Sequence, residues 1–215
     1  MTVILPSHNL AYIPVPKVAC TSIKQAFFRT ENGTDFTGLR ANERDWSIHD
    51  IYPAVLFDDL PHAQLTGLRR VAIVRDPVDR FLSSYTNRVL KHGALSWWRM
   101  SDGLTREKLA PDPDFGGFLW GIDAYRRIST DIYHHTLPLT AFLGTDPAYF
   151  DRIYRWSELD AFAADMAAQT GKPFTLGHLQ TSDRKLKAAD IDSTQVAEIR
   201  DRYADDYAAF SEWLT

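Results

Sequence analysis

One lysine and three small hydroxyl or thiol side chains stand close together near the start of the sequence. In the stretch YIPVPKVACTSIKQAFF, residues 12–28, Lys17 is followed by Cys20, Thr21 and Ser22. If a helix begins here, its first backbone N–H groups are unpaired and lie at the positive end of the helix dipole. Unpaired N–H groups, short hydroxyl donors and one mobile cation are the groups that bind phosphate. The stretch therefore predicts an anion site.

The hydrophobic pattern predicts the elements that would hold this site. Residues 10–14 are predicted to form a short strand, and a helix capped by Thr21 or Ser22 is predicted to run to about Thr30. The glycine-rich loop GxxxxGKS/T of triphosphate sites is absent. The site is therefore suited to a single 5′-phosphate and the group attached to it. For these residues alone, a capped helix with an exposed lysine is the competing interpretation.

A second strand–turn–helix unit lies within RRVAIVRDPVDRFLSSYTNRVL, residues 69–90. Its continuous apolar run over residues 71–74 is typical of a buried parallel strand. Pro77 is suited to the first turn of a helix, in which apolar residues then repeat at helical spacing. Arg75 follows the strand, and Ser83 lies one or two helix turns further on. This unit can hold a second phosphate.

The other segments complete an α/β pattern in one domain over residues 1–215. Strands that alternate with helices predict a mainly parallel sheet. Ligands of such sheets bind beyond the carboxyl ends of the strands, which is where Lys17 and Arg75 fall. Further predictions are an insertion or lid over 92–113, a helix over 115–128, a strand over 151–156, a helix capped by Ser157 that ends near 170, and a terminal helix over 194–214.

Composition and charge exclude several classes of function. With 45% hydrophobic and 24% charged residues the chain is globular, and its net charge of −4 argues against general nucleic-acid binding or a polybasic membrane surface. One cysteine excludes an intramolecular disulfide framework and a cysteine-ligated zinc site. No apolar run reaches the length of a membrane span, and the first ten residues lack the pattern of a signal peptide. The expected location is the cytoplasm.

Together the two strand–turn–helix segments resemble those of a known enzyme family. PKVACTSIK and VAIVRDPVDRFLSSY are similar to the 5′-phosphosulfate and 3′-phosphate motifs of the sulfotransferases that use 3′-phosphoadenylyl sulfate (PAPS). The resemblance is closest to the branch of carbohydrate sulfotransferases that contains the chondroitin and heparan 2-O enzymes. A third motif, HLQTSDRK at residues 178–185, more loosely resembles the late basic loop that closes over the donor. The resemblance implies a fold related to the P-loop kinases, with a central parallel sheet and helices on both sides.

By position, the resemblance assigns the 5′-phosphosulfate to the first motif and the 3′-phosphate to Arg75 and Ser83. It makes Arg184 and Lys185 candidates for the closing loop. The residues that it assigns in the first motif are Lys17, Val18, Ala19, Cys20, Thr21 and Ser22. In-line sulfuryl transfer needs positioning and charge stabilisation, and Lys17 can neutralise the bridging oxygen of the departing adenosine 3′,5′-bisphosphate (PAP). No metal is expected, because the transferred group and the leaving phosphate carry less charge than a triphosphate.

The acceptor hydroxyl needs a general base, and the sequence offers two candidates. His49 is the first, because an imidazole titrates near neutral pH and the family places a catalytic histidine between the two motifs. Glu43 is the second, because other sulfotransferase branches use a glutamate. A hydrogen-bonded structural role is the alternative for His49. His62 is a weaker candidate, and no metal pair is expected from the neighbours His134 and His135.

The acceptor itself is left open as a sugar, a lipid, a small alcohol or phenol, or a peptide. Trp97 and Trp98 can stack on such an acceptor, or they can anchor a lid on the core. Two other functions compete with sulfuryl transfer. A small-molecule kinase of related fold would need a glycine-rich loop and metal ligands, and a non-catalytic nucleotide- or glycan-binding module would keep the donor pockets without the base.

Overall fold

A computed structural model describes residues 2–41, 43–177 and 186–214, and the chain divides into two compact units. The first unit comprises Met1–Arg75, Leu139–Thr181 and Ala208–Thr215, and the second comprises Asp76–Pro138 and Ser182–Tyr207. The two units therefore alternate along the chain. That residues 1–215 act as one domain stays a prediction.

Six strands and twelve α-helices make up the described residues. In chain order they are β1 (Val3–Leu5), β2 (Leu10–Ile13), α1 (Cys20–Asn32), β3 (Leu39–Ala41), β4 (Arg44–Trp46), α2 (Ile48–Ile51), α3 (His62–Leu65), β5 (Arg69–Val74), α4 (Pro77–Ser84), α5 (Trp97–Glu107), α6 (Phe115–Trp120), α7 (Ile122–Ile128), α8 (Thr130–Thr136), α9 (Thr140–Leu143), β6 (Arg152–Arg155), α10 (Leu159–Thr170), α11 (Ser193–Arg202) and α12 (Ala204–Phe210). A π-helical turn, Tyr85–Lys91, continues α4.

The first unit is built on a four-stranded sheet in the order β1-β2-β5-β6. Strands β2, β5 and β6 are parallel, and β1 pairs with β2 in the antiparallel sense. The apolar run of β5 is buried on both faces, as its continuous hydrophobic sequence predicts. The predicted mixed α/β fold with a mainly parallel sheet is confirmed.

One face of this sheet is closed by aromatic side chains. Tyr12 of β2 stacks on Phe27 of α1 with ring centroids 5.5 Å apart, and Tyr154 of β6 meets Phe162 of α10 at 5.1 Å. Phe27 and Phe162 also contact each other, at 6.3 Å. Helices α1 and α10 therefore pack side by side on the same face. This packing fixes the direction in which α1 leaves the sheet.

The carboxyl ends of the three parallel strands lie at one edge of the sheet. The register pairs Ile13 with Ala72 and Val74 with Arg155, so the strands end at similar heights. The loop that carries Lys17 follows β2, and Arg75 follows β5 directly. The fold of the first unit thus delivers both predicted cations to this edge.

The second unit is helical. Its core is a continuous cluster of buried side chains from α4 to α11, with Phe81, Phe118 and Tyr125 among the largest. Inside the unit lies a buried ion pair, Arg80 with Asp206, whose charged atoms are 3.9 Å apart. Arg80 also donates to the carbonyl of Leu137 at 3.0 Å, which offsets part of the cost of burying the guanidinium. Among the described residues, no helix is both long and apolar enough to cross a bilayer.

Two predictions about the second unit require correction. Residues 92–113, predicted as an insertion or lid, contain α5, and Leu95 and Leu104 are buried in the core of the second unit. The helix predicted over 115–128 is two helices that meet at Gly121. A Cβ at Gly121 would lie 2.9 Å from the carbonyl of Gly117 and from the Tyr125 ring, so the bend brings the backbone too close for a side chain.

Two further helix predictions, one near residue 158 and one at the end of the chain, are partly wrong. The terminal helix predicted over 194–214 is divided into α11 and α12 around Tyr203, and a short 3-10 turn, Ser211–Trp213, follows it. Helix α10 begins at Leu159 after a 3-10 turn, and its N-cap is Glu158 rather than Ser157.

Candidate active site

The loop between β2 and α1 has a strained backbone. Lys17 and Ala19 have φ angles of 66° and 47°, in the left-handed region that side chains other than glycine rarely occupy. Such a conformation persists where the surroundings fix it. Here Val15 and Val18 are completely buried on either side of Lys17, and they anchor the loop to the core. The sharp turn brings α1 to its start at Cys20.

The structure corrects the predicted cap of α1. Its N-cap is Ala19, and no side chain accepts from the first turn. Cys20, Thr21 and Ser22 are the first three helical residues, and their N–H groups make no hydrogen bond to a described residue. All three side chains are half-buried. Because no hydroxyl covers it, the N-terminus of α1 keeps its N–H groups available for an anion.

Arg75 lies against the same loop. Its guanidinium donates to the carbonyl of Lys17 at a distance of 3.5 Å, and it lies over the Trp156 ring, 4.9 Å from the ring centroid. Trp156 follows β6 and is about one third exposed, at 37%. The edge of the sheet therefore presents two cations and an indole within one unit. The cation–π contact limits the directions in which Arg75 can point.

His49 is held against α1 by both of its ring nitrogens. Nε2 lies 3.0 Å from the Thr21 hydroxyl, and Nδ1 lies 3.2 Å from the ammonium nitrogen of Lys24. His49 is exposed, whereas the Lys24 side chain is completely buried. The structure thus joins the predicted base to the predicted phosphate loop. Thr21 makes this contact, and the second contact of the ring is with Lys24, which was not among the predicted residues.

Local contacts fix α2, the short helix that carries His49. Ser47 and Asp50 form a capping box at its start, and Arg44 of β4 pairs with Asp50. At its other end the Tyr52 hydroxyl donates to Glu31 of α1. The hydrogen bonds from Ser47 and the charge of Arg44 lower the pKa of the Asp50 carboxyl. Burial and the Glu31 carboxylate raise the pKa of Tyr52, so this contact keeps its donor hydrogen at physiological pH.

The environment of Lys24 perturbs its protonation. Burial lowers the pKa of its ammonium group, and the charge of Cys20 opposes that shift in part. A buried ammonium is costly unless it is paired, and Lys24 Nζ meets an imidazole. Burial therefore favours the neutral amine of Lys24 more than it would be favoured in an exposed lysine.

Two other predicted candidates lie apart from this constellation. Glu43 is at the exposed tip of the β3–β4 hairpin, with a φ angle of 61°, and it makes no hydrogen bond or ion pair to a described residue. His62 bonds through Nδ1 to the Tyr149 hydroxyl and through Nε2 to the Phe57 carbonyl, both at 2.9 Å. The Nε2 proton of His62 is therefore committed to a carbonyl, and this histidine is structural.

The second unit contains Ser83, on α4. Its side chain is half-buried, and its hydroxyl makes no hydrogen bond to a described residue. The neighbouring Ser84 is buried and donates to backbone carbonyls, one of them that of His135. Asp76 caps α4 and accepts a hydrogen bond from the Tyr207 hydroxyl at 2.9 Å. The cap sets the direction in which α4, and Ser83 with it, begins.

The remaining predicted residues of the second unit are exposed or tied to structural partners. Trp98 is 93% exposed and Trp97 49%, so Trp98 does not anchor a segment on the core. His135 bonds to Asp131 and to the Arg88 guanidinium. His134 and His135 have neighbouring rings, but the part of the chain that the structure describes holds no group of three metal-ligating side chains. The third motif, with Arg184 and Lys185, lies outside the described residues.

Comparison with known proteins gives one finding. A family model described as "Sulfotransferase family" matches residues 1–211 of this chain. No curated protein and no solved structure gives a significant match.

Proposed function

We infer that this chain, which belongs to the sulfotransferase family, takes a sulfuryl group from PAPS and transfers it to an acceptor hydroxyl. Family membership supports sulfuryl transfer in general. The proposal adds the donor, which is PAPS, and a carbohydrate as the acceptor. The carbohydrate rests on the similarity of the two motifs to the carbohydrate branch.

The observation that carries the proposal is the geometry of the β2–α1 loop. After its left-handed turns, three N–H groups at the start of α1 have no hydrogen-bond partner among the described residues, and they share this segment with the Thr21 and Ser22 hydroxyls and with Lys17. This set of hydrogen-bond donors and one cation fits one phosphate that bears a sulfuryl group. Arg75, which contacts the same loop, is suited to a second phosphate because its planar guanidinium binds phosphate oxygens in pairs. Ser83 stays a predicted contact of the 3′-phosphate, from its position in the motif.

The chemistry then follows from where charge develops. As the bond between sulfur and the bridging oxygen breaks, negative charge builds on the departing 5′-phosphate of PAP. Lys17 and the first-turn N–H groups are preorganised cationic and dipolar partners for that charge, and they stabilise the transition state more than the bound donor. No rearrangement of the backbone is needed at the moment of transfer.

We propose His49 as the base that receives the acceptor proton. Its ring is exposed, and it bonds directly to Thr21 of the loop proposed to hold the donor, whereas Glu43 lies on a hairpin tip without such a contact. His49→Ala should therefore reduce kcat by roughly two to four orders of magnitude. Glu43→Gln is the matched control, and it should retain the activity and the pH profile of the wild type. The reverse result, with the loss in Glu43→Gln alone, would assign the base to the glutamate.

The donor is tested without an acceptor. PAP at about one hundred times its Kd should stabilise the fold by about 2.7 kcal/mol in the presence of EDTA. For a chain of this length that corresponds to a rise in Tm of roughly 5 to 10 °C, and adenosine 5′-phosphate should give less. Stabilisation by ATP with Mg²⁺ but not by PAP would favour a kinase. Turnover of labelled PAPS with a panel of sugars, alcohols and phenols then separates an enzyme from a binding module.

A further inference from the structure

Lys24 is an unusual residue for the interior of a helix that packs on a sheet. Its side chain is completely buried, and its Nζ atom lies 3.2 Å from Nδ1 of His49. The other ring nitrogen of His49, Nε2, faces the Thr21 hydroxyl at 3.0 Å. The three side chains form a short chain of hydrogen bonds from the interior to the proposed donor loop. Its proton arrangement decides what His49 can do.

For a neutral imidazole, two arrangements satisfy the donors and acceptors of these three side chains. If Lys24 is an ammonium ion, it has donors alone, so Nδ1 must accept and the ring proton lies on Nε2. His49 is then a donor toward Thr21 and cannot accept a proton there. If Lys24 is a neutral amine, its lone pair accepts from Nδ1–H, and Nε2 is the unprotonated nitrogen. In this second arrangement the Thr21 hydroxyl donates to Nε2, and His49 is ready to act as a base.

We propose that Lys24 is a positioning residue for the transfer reaction, and that its neutral amine holds His49 in the Nδ1–H form and receives a proton from it. The inference rests on the proposed role of His49 as base. Lys24 itself touches neither donor nor acceptor, because it lies behind the ring and is buried. It therefore acts through His49 alone.

These residues account for every proton that moves in the transfer reaction. The acceptor oxygen bonds to sulfur as its O–H bond breaks, and the electron pair of the bond from sulfur to the bridging oxygen goes to PAP. The acceptor proton passes to Nε2 of His49, and the proton on Nδ1 passes to Lys24 Nζ, which becomes an ammonium ion. Thr21 occupies Nε2 in the described structure, so its hydroxyl must turn toward the donor phosphate before the acceptor takes this place. Lys24 returns its proton to solvent after product release.

Lys24 is one of several titratable groups on the elements that surround His49, and its Nζ atom contacts the imidazole ring. Helix α2 packs against α1 and β4. The titratable groups on these three elements, apart from His49 and Lys24, are Cys20, Arg29, Glu31, Arg44, Asp45 and Asp50. Most of them are tied to other partners: Arg29 to Asp35, Glu31 to Tyr52, Arg44 to Asp50 and Asp45 to Arg40. Cys20 interacts with Lys24, and a thiolate there would favour the ammonium form.

The tautomer of His49 tests the proposal directly and without any turnover. Long-range ¹H–¹⁵N correlation spectra of the labelled full-length chain separate the Nδ1–H and Nε2–H forms, and a His49→Gln variant assigns the signals. At neutral to mildly alkaline pH we expect the Nδ1–H form in the wild type and loss of that preference in Lys24→Met. An Nε2–H form in the wild type would show that Lys24 is an ammonium donor and would overturn the proposal. Absence of PAPS turnover, by contrast, would refute the proposed function and leave this measurement standing.

Kinetics with Lys24→Arg provide the second arm. Arginine keeps the positive charge but can only donate, so it should force the Nε2–H form and lower kcat by roughly tenfold to a hundredfold, with little change in the KM for PAPS. Lys24→Met should show a similar loss of kcat, and the acid limb of its pH–rate profile should be displaced from that of the wild type. Lys172, which donates to the Thr30 carbonyl at 2.8 Å, supplies the control: Lys172→Met should retain the wild-type profile. A Lys24→Arg variant with wild-type kcat would contradict the proposal.

Discussion

The left-handed backbone of the β2–α1 loop makes a sharp prediction about alanine-to-glycine changes. A residue other than glycine in this conformation costs about 1 to 2 kcal/mol, and Ala19 has φ 47° and ψ 19°. Glycine removes that cost, but its freedom in the unfolded chain costs about 0.5 to 1 kcal/mol. Ala19→Gly should therefore raise the free energy of unfolding by roughly 0.75 kcal/mol, the difference between the midpoints of these two ranges.

Ala26 supplies the matched control, seven residues further along the same helix. It lies in the helical interior and is buried, so Ala26→Gly loses helix propensity worth about 1 kcal/mol and a buried methyl group worth about 0.8 kcal/mol. The same alanine-to-glycine substitution should thus raise the free energy of unfolding at residue 19 and lower it at residue 26. For a chain of this size, Tm should rise by about 1 to 4 °C in Ala19→Gly and fall in Ala26→Gly by a similar or larger amount.

The assay is thermal and urea unfolding of the two variants beside the wild type, followed by PAP titration. Affinity for PAP should stay close to wild type in Ala19→Gly, because glycine adopts the same backbone angles and leaves the N–H groups of α1 in place. If Ala19→Gly lowers the Tm as Ala26→Gly does, residue 19 is not left-handed in solution. The reasoning about the loop would then fail.

The remaining predictions concern the charged groups of the site. Lys17→Ala should lower kcat by about two to three orders of magnitude and weaken PAP binding less, because the cation stabilises the leaving oxygen most strongly in the transition state. An unchanged kcat would show that Lys17 takes no part in the chemistry. Arg75→Ala should reduce the preference for PAP over adenosine 5′-phosphate in equilibrium titrations, and a ratio equal to wild type would show that Arg75 does not bind the 3′-phosphate. The third prediction concerns Lys24. Burial lowers the pKa of its amine in the folded state below the usual 10.5. At any pH between the folded-state and unfolded-state pKa, the unfolded chain therefore binds more protons than the folded chain. The stability of the wild type relative to Lys24→Met should therefore rise with pH through this window up to 10.5 and be flat below it, and thermal melts that show a constant difference would mean that Lys24 titrates normally.

Much of the first unit could be predicted because its signals are local. The strand predicted over residues 10–14 is β2, Leu10–Ile13, and the apolar run over residues 71–74 lies within β5. Pro77 starts α4 as predicted, because its fixed φ suits the first turn and its missing N–H group is not needed there. In each case the residue type and its neighbours along the chain were sufficient. The mainly parallel pairing then followed from the alternation of strands and helices.

The N-terminus of α1 shows where local signals are misleading. Thr21 and Ser22 are good capping residues, and the prediction assumed that one of them would stand in extended backbone before the helix. Burial of Val15 and Val18 instead fixes a left-handed turn, and α1 starts before either hydroxyl. Such a turn depends on packing against the core, which a short sequence window does not contain. The residues predicted for the anion site still stand together at the first turn of α1, and their binding of an anion stays a prediction.

Lys24 was missed for a related reason, and its burial is informative for function. It lies beside the apolar stripe of α1, where a lysine usually extends to solvent, and its partner His49 follows 25 residues later. A buried amine is less favourable for folding than an apolar side chain of similar volume. Stability and activity should therefore move in opposite directions in Lys24→Met, with an unfolding free energy at neutral pH that is unchanged or higher and a kcat that is lower. A variant that lost both would show that Lys24 serves the fold, and the contact with His49 would then be a structural hydrogen bond.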